Sequence, residues 1–137
     1  MKIFLIGYYG FGNCGDSVCL FKSQQIIKNV YESAVISILH RSNDSQKKYV
    51  NRSNFFTIVK TIWQTDLVVF GGGSLLQNLS SSLSLYYYLT LIWISKCFGK
   101  KVIFLGQGLG PIRGFIHQFF VESTLKLIAG GTFRDIE

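Results

Sequence analysis

Three short apolar runs each end in a cluster of glycines, and this recurrence constrains the fold more than any other feature of the chain. Lys2-Ile3-Phe4-Leu5-Ile6 opens into Gly7-Tyr8-Tyr9-Gly10-Phe11-Gly12-Asn13-Cys14-Gly15-Asp16. Asp66-Leu67-Val68-Val69-Phe70 opens into Gly71-Gly72-Gly73-Ser74-Leu75-Leu76-Gln77. Lys101-Val102-Ile103-Phe104-Leu105 opens into Gly106-Gln107-Gly108-Leu109-Gly110-Pro111. Ten of the 14 glycines lie in these three segments, so they are placed rather than scattered. An uninterrupted apolar run is what a strand needs when both of its faces are buried, as in a parallel sheet. If the runs are neighbouring parallel strands, their glycine loops meet at one sheet edge, where open α/β sheets bind ligands.

Helical patterns fill the intervals. A helix is expected to run from a cap at Asp16 to about Val30, with Val18, Leu20, Phe21, Ile26 and Ile27 as apolar positions. Residues 34–39 read as a strand and 40–53 as a polar loop. Phe55 to Trp63 reads as a short helix, 83–98 as a helix apolar nearly all round, and Phe115 to Ala129 as a fourth. A last strand begins near Thr132. The expectation is one domain over residues 1–137: a doubly wound, Rossmann-like α/β fold with a parallel sheet of about five strands.

Composition narrows the function. Hydrophobic residues make up 48% and charged ones 15%, which excludes a disordered chain. The mean hydropathy of +0.31 leaves apolar surface to pack on a second domain, a subunit or a membrane. The net charge of +7 suits an anionic ligand or an anionic membrane surface, and no nucleic-acid motif accompanies it. No spanning helix is expected, because the continuous apolar part of the uncharged stretch, Leu83 to Ile94, is shorter than the roughly 20 residues required. Four apolar residues before Gly7 are too few for a signal-peptide core. Cys14, Cys19 and Cys97 show no metal-ligand spacing and read as reduced thiols, so the expected location is cytoplasmic, with the inner membrane surface as a further station.

The candidate chemistry lies in the loops. Glycine at a helix start lets backbone N–H groups approach a phosphate or carboxylate that the helix dipole also favours. This reading picks out Gly10, Gly12, Asn13, Gly15, Gly72, Gly73, Ser74, Gln77, Gln107, Gly108 and Gly110 as substrate-binding positions. Asp16 is either a helix cap or a carboxylate facing the ligand. Arg134 either pairs with Asp135 or clamps an anion. His117 reads as a satisfied surface histidine, and Tyr86-Tyr87-Tyr88 with Trp93 as core. Gly10-Phe11-Gly12-Asn13-Cys14-Gly15 matches the dinucleotide pattern GxGxxG. However, Gly7-Tyr8-Tyr9 separates it from the strand, and His40-Arg41 stand where a ribose-binding acid is expected. An NAD(P)-binding oxidoreductase domain therefore stays an alternative.

Taken in order, the three glycine segments, Ser84-Leu85-Tyr86-Tyr87-Tyr88-Leu89 and the terminal Arg134-Asp135 resemble the polysaccharide pyruvyl transferases over nearly the whole chain. The resemblance implies the amino-terminal half of a two-domain, glycosyltransferase-B-like enzyme. It implies transfer of pyruvate from phosphoenolpyruvate to a sugar of a cell-surface polysaccharide as a cyclic ketal, with no cofactor beyond the donor. Asp16 and Arg134 match family positions important for activity. The acceptor is a sugar or polysaccharide, including lipid-linked ones. A family histidine and lysine belong to a second domain outside these residues, so the chain alone is expected to be inactive unless that domain or a second copy completes it. An inactive remnant or a dimerising binding module is the alternative. The family often carries Glu where this chain has Ser17, and Asp where it has Asn78.

Overall fold

The computed structural model describes residues 1–41, 49–79 and 81–134. Asp135, the alternative partner of Arg134, lies outside these residues. The elements are β1 (Lys2–Ile6), α1 (Cys14–Val30), β2 (Val35–His40), β3 (Tyr49–Asn51), α2 (Phe55–Gln64), β4 (Leu67–Phe70), β5 (Gly73–Leu76), α3 (Ser82–Cys97), β6 (Lys101–Leu109), α4 (Phe115–Leu125) and β7 (Gly130–Phe133).

Every strand pairing is parallel. The order is β3-β2-β1-β4-β6, with β5 and β7 also on β6. β4 pairs with residues Lys101 to Phe104 of β6 and β5 with Gln107 and Leu109, so β5 carries on along the edge that β4 leaves. β7 takes the opposite edge. Among the described residues the sheet thus has seven strands where about five are expected. The additional two are β3, inside the expected polar loop, and β5, inside the second glycine segment.

The pleat divides the core. Phe4, Ile6, Val68, Phe70, Val102 and Phe104 point to one face and pack with Ile58 and Ile62 of α2, Leu85, Leu89 and Ile92 of α3, and Val121 of α4. Ile3, Leu5, Leu67 and Val69 point to the other face, with Ile27 of α1. Alternate residues of each strand are therefore apolar in both directions, which is why the runs read as continuous. The fold is doubly wound and Rossmann-like, with α1 against one face and three helices against the other.

Two boundaries move for local reasons. β6 runs straight through Gly106-Gln107-Gly108, which the glycines had marked as loop. Gly106 takes φ +65 at a register shift between Phe104 and Gln107, a bulge that a residue with a side chain adopts only under strain. α4 stops at Leu125 rather than Ala129, and Ala129 N–H donates to Val102 O at 2.8 Å as the chain enters β7 at Gly130.

Candidate active site

Strand order reverses between β1, whose helix leads outward to β2, and β4, whose chain leads the other way to β6. Crevices of open α/β sheets form at that switch point, beyond the carboxyl ends of the strands. A cleft of about 420 Å³ lies there. It is lined by Tyr8, Asn13 and Asp16 after β1, by Gly73, Ser74, Leu75 and Gln77 after β4, and by Ser81, Ser84 and Tyr88 of the α3 start.

The amino termini of α1 and α3 both border this cleft. Asn13, not Asp16, caps α1: its Oδ1 accepts from Gly15 N–H at 3.1 Å. Asp16 sits three positions past the cap, in the first turn, where its carboxylate is released from capping and lines the cleft. Partial burial pushes its carboxyl above the usual range, and a hydrogen bond with Asn13 opposes the rise. Ser81 precedes α3 without making a side-chain cap bond. Two helix starts thus direct partial positive charge towards one space that also holds the Asp16 carboxyl, whose pKa partial burial raises.

Of the expected substrate-binding positions, Asn13, Gly73, Ser74 and Gln77 line the cleft together with Asp16. The others lie around it. Gly12 faces open space, and Gly10 backs onto the His40 ring. Gly72 lies against Cys19. Gly15 serves the α1 cap. Gly108 and Gly110 are close-approach positions: a Cβ there would stand 2.5 Å from Ser74 Oγ and 2.6 Å from Gln77 Cβ. Their small size lets the third glycine segment hold the second in place. Gln107 is fully buried; its Nε2 donates to Gly73 O, and its side chain serves this strand-to-strand contact instead of reaching the cleft. Arg134 follows β7 at the same sheet edge, and its N–H donates to Gln107 O at 3.0 Å. It is not among the residues lining the cleft.

Asn78, where a family Asp is expected, binds backbone on both sides of one residue. Its Nδ2 donates to Arg113 O at 2.7 Å, and its Oδ1 accepts from Arg113 N–H at 2.9 Å. An amide can do both, and a carboxylate can only accept. His117 accepts from or donates to Tyr86 Oη at 2.8 Å.

Sequence reasoning passed over Tyr8, Ser81, Ser84 and Tyr88 as cleft residues. Ser84 and Tyr88 are four apart on α3 and share a helix face, a signal open to detection once the helix start is known. Tyr88 is 1% exposed, and its hydroxyl has no hydrogen-bond partner among the described residues. Burial pushes its phenol up to about 12, with the nearby Arg52 guanidinium opposing. No helix among the described residues is long and apolar enough to cross a membrane.

Comparison with known families assigns this architecture. The polysaccharide pyruvyl transferase family matches residues 13–132. The chain belongs to that family. Membership, not the GxGxxG match, favours the transferase reading over the oxidoreductase one. No curated protein matches the chain. Among solved structures, the chain is similar to an azoreductase from Bacillus anthracis str. Sterne, at 12% identity and a TM-score of 0.49, over 97% of this chain and 84% of that one.

Proposed function

We propose that the cleft binds phosphoenolpyruvate and takes part in transferring its pyruvyl unit to a saccharide as a cyclic ketal. One acceptor hydroxyl adds to the central carbon of the donor while a proton goes to the enol methylene, making it a methyl group. A second hydroxyl then forms the other C–O bond, the C–O bond to phosphate breaks, and that hydroxyl's proton leaves with the phosphate. Asp16 is the group assigned to proton transfer, because its carboxyl lines the cleft at the first turn of α1, where partial burial raises its pKa. Arg134, at the same edge, is assigned to the anionic end of the donor. The observation that carries the reading is Asp16 in a switch-point cleft bordered by two helix starts, in a chain of this family.

The histidine and lysine that the family resemblance implies would come from a second domain or subunit facing this cleft. The test therefore separates binding from turnover. Phosphoenolpyruvate binding is followed by calorimetry, and phosphate release by phosphorus NMR with a saccharide acceptor and the completing domain added. Asp16→Asn is expected to keep donor binding and lose turnover, and Arg134→Ala to weaken binding. Turnover that survives Asp16→Asn unchanged rejects the assigned role.

A second reading, a non-catalytic module that dimerises, draws on exposed aromatics. Phe56 on α2 is 87% exposed and Phe115 on α4 is 83% exposed. Sedimentation of the chain with Phe56→Ser and Phe115→Ser decides it: a dimer that these changes dissociate supports the module, and a monomer removes it.

A further inference from the structure

The cleft does not end at Tyr8 and Ser84. Both residues also line a second space of about 450 Å³, whose other walls are Phe11, Arg41, Arg52 and Ser53. These residues come from the carboxyl ends of β1, β2 and β3, so the space extends the cleft along the same sheet edge. Its charged side chains differ from those of the first space. The first is bordered by the Asp16 carboxylate, and this one by two guanidinium groups.

The two arginines are held by rings. Tyr8 and Phe11 stack in parallel, with centroids 4.0 Å apart. The Arg52 guanidinium carbon lies 5.4 Å from the Tyr8 centroid, 5.0 Å from Phe11 and 5.2 Å from Tyr87. That of Arg41 lies 5.1 Å from Phe11. A guanidinium resting on an aromatic face uses its π surface there, which leaves in-plane N–H donors for an oxyanion. The backbone fixes both positions: Arg41 N–H donates to Tyr9 O, Arg52 N–H donates to His40 O, and Tyr87 Oη donates to Arg52 O. Beside them, the buried Tyr88 hydroxyl makes no well-formed hydrogen bond among the described residues, and the Arg52 guanidinium is near enough to act on it.

The geometry points to a second subsite, Arg41 and Arg52 on the Tyr8–Phe11 stack, that takes a phosphate or diphosphate group of the acceptor saccharide. The acceptor as occupant rests on the proposed function, and the oxyanion site stands on its own residues. A donor as small as phosphoenolpyruvate does not fill two joined spaces of this size. A longer ligand that crosses at Tyr8 and Ser84 brings its hydroxyls to Asp16 and leaves its anionic end against the arginines. Two guanidiniums with the Ser53 and Ser84 hydroxyls offer donors from several directions, which suits a tetrahedral phosphate better than a planar carboxylate.

Inorganic pyrophosphate is the probe, titrated into the full chain by calorimetry with and without saturating phosphoenolpyruvate. The expected result is pyrophosphate binding that persists with phosphoenolpyruvate present and weakens at least about tenfold in Arg41→Gln and in Arg52→Gln. Arg41 is exposed, so its variant still reports if loss of Arg52 from three rings prevents folding. Lys60→Gln on α2 removes the same charge elsewhere and is expected to change nothing. No pyrophosphate binding, displacement by phosphoenolpyruvate, or an equal loss in Lys60→Gln overturns the subsite. Failure of phosphoenolpyruvate to bind, with pyrophosphate binding intact, overturns the donor assignment and leaves the subsite standing.

Discussion

Replacing Tyr88 with Phe should make the protein more stable and its cleft less effective. The ring packs edge-on against Phe70, at 6.5 Å between centroids, and against Tyr87, at 5.3 Å, and phenylalanine keeps both contacts. What it removes is a hydroxyl that is buried and unpartnered among the described residues. Burying such a group without a hydrogen bond costs roughly 1–3 kcal/mol in proteins. The Arg52 guanidinium recovers part of that, so the expected gain is about 1 kcal/mol, or about 4 °C in Tm for a chain of this size. The alkaline limb gives an independent check. The phenol is raised from 10.0 to about 12, so the folded state resists its ionisation. Stability from this group is complete below its unfolded pKa and is lost as pH rises through the folded one. By pH 11 the wild type should have lost on the order of 1 kcal/mol through Tyr88, a loss that Tyr88→Phe does not share. Urea unfolding near pH 8 and pH 11 measures both effects. A variant at least about 1 kcal/mol less stable near pH 8 would refute the reasoning. So would a gap that does not widen at pH 11. Ligand binding in the same variant reports whether the hydroxyl is kept for function.

Three further outcomes follow from single contacts. Asn13→Ala removes the α1 cap and should cost about 1 kcal/mol by thermal unfolding, where Asp16→Asn, which does not cap, should cost less. Asn78→Asp keeps acceptance from Arg113 N–H but sets a carboxylate against Arg113 O, so urea unfolding should show a loss of about 1–3 kcal/mol. Unchanged stability there removes the clamp. Trp93→Phe loses the indole N–H bond to Thr124 Oγ1 at 2.9 Å between α3 and α4, and should cost about 1 kcal/mol or more, with the remaining Trp63 fluorescence reporting the transition.

Legibility followed burial. β1, β4 and the first half of β6 were readable because residues such as Phe4, Val69 and Val102 are buried on both faces of the sheet. β3 was not, since its three residues, Tyr49-Val50-Asn51, join the sheet through backbone pairing beside β2 and carry no apolar run. β5 and the end of β6 were read as loops because glycine signals turns in sequence, while here it permits a bulge and close strand contact. The site was legible to the same degree. Asp16 could be placed at the cleft, but its freedom from capping depended on Asn13 taking that role. Tyr88 read correctly as core, and no pattern shows that the residue also lines the cleft. Arg52 went unnoticed because it follows the strand that was missed.

The contacts around the cleft explain why glycines that do not line it still matter to it. The second and third glycine segments touch where Gly108 meets Ser74 and where Gly110 meets Gln77, and Gln107 reaches across to Gly73 O. Just beyond them, Asn78 and Arg113 join the two loops by a pair of bonds. Ser74 and Gln77 are cleft residues, so the third segment shapes the cleft through the second. A site that develops charge during reaction gains most from groups held before the ligand arrives, since reorientation then costs little. Asn at position 78 serves that purpose as a clamp, through an amide that both donates and accepts. Its side chain thus holds the wall at Arg113, while Asp16, the one carboxylate lining the cleft among the described residues, is left free of that contact.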